Sequence, residues 1–248
     1  MTTLALRLAG PMQSWGDSSR FLQRGTADSP TKSGVLGLLG AALGLRRTDP
    51  LEALLDLNFG VRIDCPGTVM RDFQTARSLD GKEAMPLTDR YYLADAVFLA
   101  VIEGRRDFIE SVASALHRPA FPLYLGRRSC PPVMPLVLDV SDASLYSVLT
   151  EHRWIAPARL KKERGDKALR LQVVTDASAL PEEQRASSTV HTTRDVPVSF
   201  DPELRQYEWR QVARFWVELG GGTDAGPFSD THDPIALMEG VGRVPDTI

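Results

Sequence analysis

Arginine side chains stand beside aromatic and small polar residues at four places in the chain. A guanidinium group donates paired hydrogen bonds to phosphate oxygens, and an aromatic ring stacks on an unpaired base. These residue types therefore indicate contacts with single-stranded nucleic acid rather than bond-making chemistry. The candidate contacts are Gln13, Trp15, Arg24, Thr31, Lys32, Ser33, Arg71, Gln74, Thr75, Arg90, Tyr91, Tyr92, Tyr124, Arg127, Arg128 and Arg194.

The first place leads from Gln13 and Trp15 through Arg20 and Arg24 to a predicted helix that begins near Thr31. A helix N-terminus offers unpaired N–H groups and the positive end of the helix dipole, and the adjacent lysine adds a charge. This arrangement would hold a phosphate group. The alternative is a helix with an ordinary polar N-cap and a solvated lysine.

The second place is a predicted hairpin that runs from Arg71 to Arg77, turns at Asp80-Gly81 and returns through 90–92. The Asp-Gly pair is a strong signal for a tight turn between two strands. A long hairpin with arginine, glutamine and tyrosine side chains could project and wedge between nucleotides. The alternative is an edge hairpin whose charges keep it soluble.

The third place is the loop 122–130, in which Gly126 precedes Arg127 and Arg128. Glycine lets a backbone approach a ligand closely, and adjacent arginines can fork onto phosphate groups. A solvated pair of charges is the alternative.

The fourth place joins Arg194 to the aromatic segment that contains Tyr207 and Trp209. The aromatic segment, which extends to Val212, is typical of a core or a subunit contact rather than a platform for bases.

Enzyme motifs are absent from the sequence. A P-loop that ended at Lys32-Ser33 would need glycine at positions 26 and 31, which hold Thr26 and Thr31. The four histidines have no metal-ligand spacing, and the two cysteines have no zinc or disulfide pattern. We therefore expect no catalytic residue, no metal and no cofactor. The absence of a signal peptide or apolar span predicts a cytoplasmic protein.

The net charge of −3 argues against a protein that binds nucleic acid over its whole surface. Residues 1–130 contain 16 basic and 14 acidic residues, whereas residues 218–248 contain one basic and six acidic residues. An RNA site must therefore be a local patch. We interpret 1–219 as one domain and 220–248 as a flexible acidic tail.

The elements that position these residues follow from apolar runs and turn signals. They predict strands at 3–8, 61–63, 68–73, 96–102, 136–140, 169–175, 189–193 and 207–219, and helices at 31–45, 50–57 and 108–116. Four glycines, at 34, 37, 40 and 44, fall on one face of the first helix, which indicates close packing against its backbone. Lys161–Arg164 is expected in a solvated loop. The order of elements is typical of an α+β, ferredoxin-like module with long insertions.

Five segments resemble the CasD subunit family of type I-E CRISPR Cascade complexes, in the RAMP superfamily. The segments are LRLAGPMQSWG (Leu6–Gly16), PTKSGVLGLLGAALG (Pro30–Gly44), RDFQT (Arg71–Thr75), RPAFPLYLGRRSCP (Arg118–Pro131) and TTRDVPVSF (Thr192–Phe200). With the similar spacing between them, the resemblance covers about residues 3–217. The resemblance does not extend to the acidic tail.

The resemblance implies a ferredoxin-like, RRM-type fold with a projecting β-hairpin thumb, here at about 68–101. It also implies a non-catalytic subunit that holds the 5′ handle of CRISPR RNA (crRNA). The neighbours would be the backbone subunit CasC and the large subunit CasA, with target DNA reached only through the complex. The handle pocket would be lined by Gln13 and the helix start, the thumb would carry Arg71, Gln74 and 90–92, and the adjacent loop would carry Tyr124, Arg127 and Arg128.

Two other functions fit parts of the sequence. Related type I-C subunits cleave repeat RNA without a metal, using a Tyr, Lys and His group, but here His117 precedes Arg118 instead of following a lysine. We therefore expect no nuclease activity. An assembly adaptor without RNA contacts is the third possibility, and reversal of charge at Lys32 or at Arg127 and Arg128 would distinguish it.

Overall fold

The structure is a computed structural model that describes residues 1–16, 23–84, 86–165 and 167–219. Its strands are β1 (Thr2–Ala9), β2 (Met12–Gln13), β3 (Gln23–Arg24), β4 (Asn58–Cys65), β5 (Thr68–Gln74), β6 (Thr88–Ala94), β7 (Val97–Gly104), β8 (Val137–Ser141), β9 (Leu169–Asp176), β10 (Thr189–Ser199) and β11 (Gln206–Leu219). Its helices are α1 (Lys32–Leu43), α2 (Glu52–Leu55), α3 (Arg106–His117), α4 (Leu145–Glu151), α5 (Ala158–Arg164) and α6 (Glu182–Ser187), with a 3-10 helix at Ala177–Ala179. Arg20 and the predicted tail 220–248 lie outside the described residues.

The main sheet has seven strands in the order β10-β11-β9-β4-β7-β1-β8, and its paired strands are antiparallel. The central strand β7 pairs with β1 on one side and β4 on the other. The prediction of an α+β fold is therefore confirmed, and the main sheet proves to be antiparallel. Sequence patterns located strands such as β1, β7 and β9 because these are apolar runs between turn residues.

The two faces of the sheet form separate cores. Leu4, Leu6 and Leu8 of β1 pack with α1 and α3, whereas Ala5 and Ala9 pack in a second cluster that includes side chains of α4. This division follows from the alternation of side chains along a strand. A fully buried leucine contributes about 1.5–3 kcal/mol, so the larger core anchors α1 firmly.

The glycine-rich helix packs closely against a neighbour, as predicted. A β-carbon at Gly34 would lie 2.8 Å from the ring of Trp15, and the ring of Phe200 lies over Gly37. Gly44 differs from the other three because it ends α1 in the left-handed conformation, with φ of +83°. The glycine pattern therefore marks a packing surface and a C-cap, not a ligand contact.

A second, smaller sheet carries the predicted hairpin. Strand β6 pairs with β2, β3 and β5, and the β5–β6 hairpin spans residues 68–94. The predicted end of the thumb at about 101 is wrong, because residues 97–101 belong to β7 and are buried in the main sheet. The hairpin therefore ends where the chain enters the core.

The predicted loop at Lys161–Arg164 is also wrong, because these residues form the second half of α5. An ion pair between Arg159 and Glu163, one turn apart, supports the helix. In the part of the chain that the structure describes, no helix is long and apolar enough to cross a membrane.

Candidate nucleic-acid interface

Arg127 joins three of the predicted segments. Its guanidinium group donates hydrogen bonds to the carbonyl oxygens of Tyr91 (3.2 Å), Arg24 (2.8 Å) and Gly25 (3.1 Å). Its guanidinium carbon also lies 4.8 Å from the centre of the Tyr92 ring. The arginine thereby ties the loop 122–130 to strands β3 and β6.

The loop itself is held in a tight conformation. Gly126 has φ of +86°, and a β-carbon at this position would lie 1.7 Å from the carbonyl oxygen of Ser14. Backbone hydrogen bonds from Ser14 N to Leu125 O and from Leu125 N to Cys130 O complete the contact. The exposed side chain of Arg128 therefore extends from a rigid support.

Arg90 has an unsatisfied donor in this region. Strand pairing places Arg24 directly opposite Arg90 in β3 and β6. Among the described residues, Arg90 Nε is the one buried side-chain nitrogen or oxygen atom without a hydrogen-bond partner. Buried polar groups in native proteins are almost always paired, so an orphaned donor indicates a missing acceptor. We call Arg24, Arg90, Tyr91, Tyr92, Arg127 and Arg128 the arginine junction.

The hairpin also has a partly basic, partly apolar face, opposite the one that carries Arg90 and Tyr92. Val69, Arg71 and Phe73 alternate along β5 and so share one face. Phe73 is 67% exposed, and Arg71 forms a two-pronged ion pair with Asp89 at 3.0 and 3.1 Å. Gln74 and Thr75 are exposed at the end of β5.

Gln13 and Trp15 must be corrected as RNA contacts, because both side chains are fully buried. Gln13 Nε2 donates to the carbonyl oxygens of Leu8 and Ala96, and its Oε1 accepts from the indole N–H of Trp15 at 3.2 Å. These bonds use both ends of the amide inside the protein. The two residues instead fix the path of the chain between β1 and α1.

The predicted phosphate site at the N-terminus of α1 is already occupied by a protein carboxylate. Asp195 Oδ2 accepts from the Lys32 backbone N–H at 2.8 Å, and the Thr31 side chain accepts from Gly34 N. The Thr31 hydroxyl also lies 3.4 Å from that of Ser33. The alternative interpretation, a capped helix, is therefore the correct one for these residues.

Lys32 is not solvated either, because its ammonium group is buried against Asp176 at 3.0 Å. Arg210 forms ion pairs with both Asp176 (2.8 Å) and Asp195 (2.6 Å), which completes a buried group of two cations and two anions. Burial alone would lower the pKa of Arg210, but the two carboxylates outweigh it and raise that pKa above its usual value. The cluster joins α1 to β9, β10 and β11.

Asp176 and Arg210 were missed in the sequence because they are 34 residues apart and belong to no motif. The only available signal was their position in apolar strands, where a charge needs a partner. The two positive and two negative charges of the cluster balance, so we interpret it as a structural ion-pair network.

Arg194 lies on the edge strand β10, where it is exposed and directly precedes the buried Asp195. Its Nε donates to the carbonyl oxygen of Tyr207 at 3.0 Å, and its cross-strand partner is Trp209. Trp209 is 66% exposed, so the prediction that it belongs to a core does not hold within this chain, whereas Val212 is buried as predicted. Tyr124 is half-buried in the loop that precedes Arg127.

The arrangement as a whole can bind an anionic, partly unstacked chain. Four arginines meet at the junction, and the carboxylate of neighbouring Asp89 is already held by Arg71. Guanidinium groups held in fixed positions are suited to bind phosphate oxygens, and the exposed ring of Phe73 offers a stacking surface on the other face of the hairpin. In the described ranges, no group of three or more His, Cys, Asp or Glu residues could hold a metal ion.

The amino-acid sequence is similar to those of known CRISPR-associated proteins. A family model described as CRISPR-associated protein (Cas_Cas5) matches residues 3–213. The CRISPR system Cascade subunit CasD of Escherichia coli (strain K12) is 40% identical to the chain, over 57% of this chain and 72% of that protein.

Two solved structures resemble the whole fold. One chain, from a structure titled CRISPR RNA-guided surveillance complex, has a TM-score of 0.68 and 32% identity over 88% of this chain and 91% of its own. Another, titled Crystal structure of Cas protein, has a TM-score of 0.54 and 33% identity over 88% of this chain and 94% of its own. Because the sequence identity exceeds 30% over most of both chains, the similarity extends beyond the fold to the sequence.

Proposed function

The chain belongs to the CRISPR-associated protein (Cas_Cas5) family, and from this premise we propose that it is a non-catalytic, RNA-binding subunit of a CRISPR surveillance complex. Its role is to hold the 5′ handle of crRNA and to support assembly of the complex in antiviral defence. The likeness to the Cascade subunit CasD and to a chain of a surveillance complex supports this role.

One observation carries the assignment of the RNA site: Arg90 Nε is buried at the arginine junction without a protein partner. Leaving a buried donor unpaired costs about 1–3 kcal/mol. A phosphate or base oxygen of the handle would satisfy it once the Arg90 side chain turns outward, and the neighbouring guanidinium groups would add charge. Pairing this donor with RNA would remove an energetic cost, and an ordinary solvated cluster of charges offers no such gain.

The other candidate residues divide into two groups. Arg71, Gln74 and Thr75 lie on the hairpin and Tyr124 lies on the loop, and we retain them, together with Arg194, as proposed RNA contacts. Gln13, Trp15, Thr31, Lys32 and Ser33 support the site from within the protein, through the buried contacts and helix cap described above.

The β1-α1-β4-β7-α3-β8 unit is, in our proposal, a ferredoxin-like module of the RRM type. The strand order β4-β7-β1-β8 and the two helices on one face support this assignment. The β5–β6 hairpin would be the thumb that projects from it. Proposed neighbours in the complex are CasC and CasA, with target DNA reached indirectly and the whole located in the cytoplasm.

We further propose that the chain does not cleave RNA. The relative with 40% identity is named as a complex subunit, which supports binding rather than turnover. Incubation of the purified chain with labelled repeat RNA tests this directly. A sequence-dependent cut would replace the proposal with a metal-independent endoribonuclease.

Ultraviolet crosslinking in the assembled complex tests the location of the RNA. Guide RNA with photoreactive nucleotides in its handle is expected to attach to peptides that contain residues 88–94 or 123–130. Handle crosslinks found only on other subunits, with both peptides unmodified, would contradict the proposal. Photoreactive nucleotides at the distal end of the guide provide the matched control.

A further inference from the structure

A groove with two tryptophans lies apart from the arginine junction and has no role in the proposed function. It encloses about 770 Å³ between the end of β4, helix α5, the start of β9 and the end of β11. Trp154, Leu160 and Trp216 give it apolar walls, and Trp216 is 53% exposed. We call it the tryptophan groove.

Three cationic residues and three carboxylates line the groove, and the carboxylates are already paired. The guanidinium carbon of Arg164 lies 5.8 Å from the Trp154 ring, and that of Arg170 lies 4.9 Å from the Trp216 ring. Lys167 lies in the same wall. The lining carboxylates are each engaged by another arginine, in the pairs Asp28 with Arg214, Asp64 with Arg62 and Glu163 with Arg159. The cationic residues of the groove would therefore attract an acidic chain.

The C-terminal part of the chain begins at this groove. The last residue of β11, Leu219, pairs with Leu169, which lines the groove. The family match ends at residue 213, so the segment that follows is outside the shared family pattern. Residues 220–248 contain one basic residue, Arg243, and five acidic residues, which are Asp224, Asp230, Asp233, Glu239 and Asp246. They also contain an apolar run at 234–238.

We propose that the acidic C-terminal segment 220–248 of this same chain binds in the tryptophan groove. Its carboxylates meet Arg164, Lys167 and Arg170, and its apolar run covers the indole rings. Charge complementarity and an apolar surface on both sides supply the attraction. The segment is tethered beside the groove, so its effective concentration is on the order of millimolar, which favours it over an untethered ligand of similar chemistry.

Single-stranded nucleic acid is the rival occupant, because tryptophan and arginine also bind bases and phosphates. It makes the opposite prediction about the tail. If nucleic acid fills the groove, neutralising the tail leaves the free protein unchanged there. If the tail fills it, the environment of both groove tryptophans changes.

The four tryptophans allow a test with the full-length chain. The indole N–H signals of Trp154 and Trp216 report on the groove, whereas Trp15 is fully buried elsewhere and Trp209 is exposed on the β10–β11 ribbon. NMR spectra of wild type are compared with a full-length variant that carries Asp224→Asn, Asp230→Asn, Asp233→Asn and Glu239→Gln. We expect the signals of Trp154 and Trp216 to shift and those of Trp15 and Trp209 to coincide.

Salt and groove variants provide matched controls. Salt at about 1 M reduces the screening length to about 3 Å and should move the wild-type groove signals toward those of the neutralised variant. Arg170→Glu should produce the same shift, and Arg194→Glu, beside Trp209, should leave Trp154 and Trp216 unchanged. Coincident groove signals in wild type and the neutralised variant overturn the proposal. A groove shift seen only on adding a single-stranded oligonucleotide also overturns it.

A second measurement uses the natural thiol of Cys65, which lines the groove. In the full-length variant Ala236→Cys, mild oxidation with oxidised glutathione should join the introduced thiol to Cys65 within one chain, as mapped by peptide mass. The rate should fall severalfold when Arg170→Glu is added, because both thiols remain while the attraction is lost. Equal rates with and without Arg170→Glu contradict the proposal.

Discussion

The guanidinium carbon of Arg127 lies 4.8 Å above the ring of Tyr92, whose side chain is only 2% exposed. The same guanidinium group binds backbone oxygens on both β3 and β6. The loop 122–130 and the base of the hairpin therefore behave as one unit. This contact also fixes the backbone position of the exposed Arg128, the next residue in the chain.

Arg127→Lys should weaken both folding and RNA retention. An ammonium group cannot reach three carbonyl oxygens in a planar fork, so we expect a loss of about 1–3 kcal/mol in the free energy of unfolding. Urea unfolding measures the loss. Arg128→Lys is the matched control and should change stability by less than about 0.5 kcal/mol. Equal losses in the two variants would show that Arg127 does not hold the junction.

Gly126→Ala should disrupt the same loop by a steric route. The new methyl group would lie 1.7 Å from Ser14 O, so the loop must move, and the positive φ adds about 1–2 kcal/mol of strain. Gly81→Ala is the matched control, because Gly81 also has a positive φ but nothing lies within 4 Å of the added carbon. Thermal unfolding should show a clearly larger loss for Gly126→Ala. Similar losses would mean that only backbone strain matters there.

Sequence patterns were sufficient for most of the scaffold. The apolar runs of β1, β7 and β9 and the glycine spacing of α1 directly reflect burial and close packing, which depend on local residue types. The hairpin was also recognisable from the Asp80-Gly81 turn. The β6–β7 boundary was less clear, because one apolar stretch serves both the hairpin and the core.

Sequence patterns failed where the partner of a charged group is distant in the chain. Lys32 seemed available for phosphate because its partner, Asp176, is 144 positions away. The same holds for Asp195, which caps α1 from β10. Conversely, the unpaired nitrogen of Arg90 cannot be distinguished from any other arginine until its surroundings are known.

His152 should make the stability of the fold depend on pH. Burial, the largest cause, lowers the pKa of its imidazole, and the charge of Arg62 acts in the same direction. Below the unfolded pKa of about 6.5, the unfolded chain binds a proton that the folded chain does not. The free energy of unfolding should therefore be constant above about pH 6.5 from this group and should fall as the pH drops toward the lowered value.

Urea unfolding between about pH 5 and 8 measures this effect. His152→Gln should reduce the slope, because the more deeply buried histidine is gone, while His191, whose pKa burial also lowers, supplies a smaller remainder. His117→Gln, at the exposed end of α3, controls for the loss of a histidine as such and should keep the wild-type slope. A slope that survives undiminished in His152→Gln would assign the dependence to other groups.

Arg90→Gln should separate RNA binding from stability. Removing an unpaired buried donor should leave the free energy of unfolding unchanged or slightly raised, whereas loss of its phosphate contact should weaken crRNA retention severalfold. The dependence of log affinity on log salt should become shallower by about 0.7. Arg105→Gln, an exposed arginine before α3, is the matched control and should change neither quantity. A variant that loses stability but keeps both affinity and salt slope would show that Arg90 supports the fold and does not touch RNA.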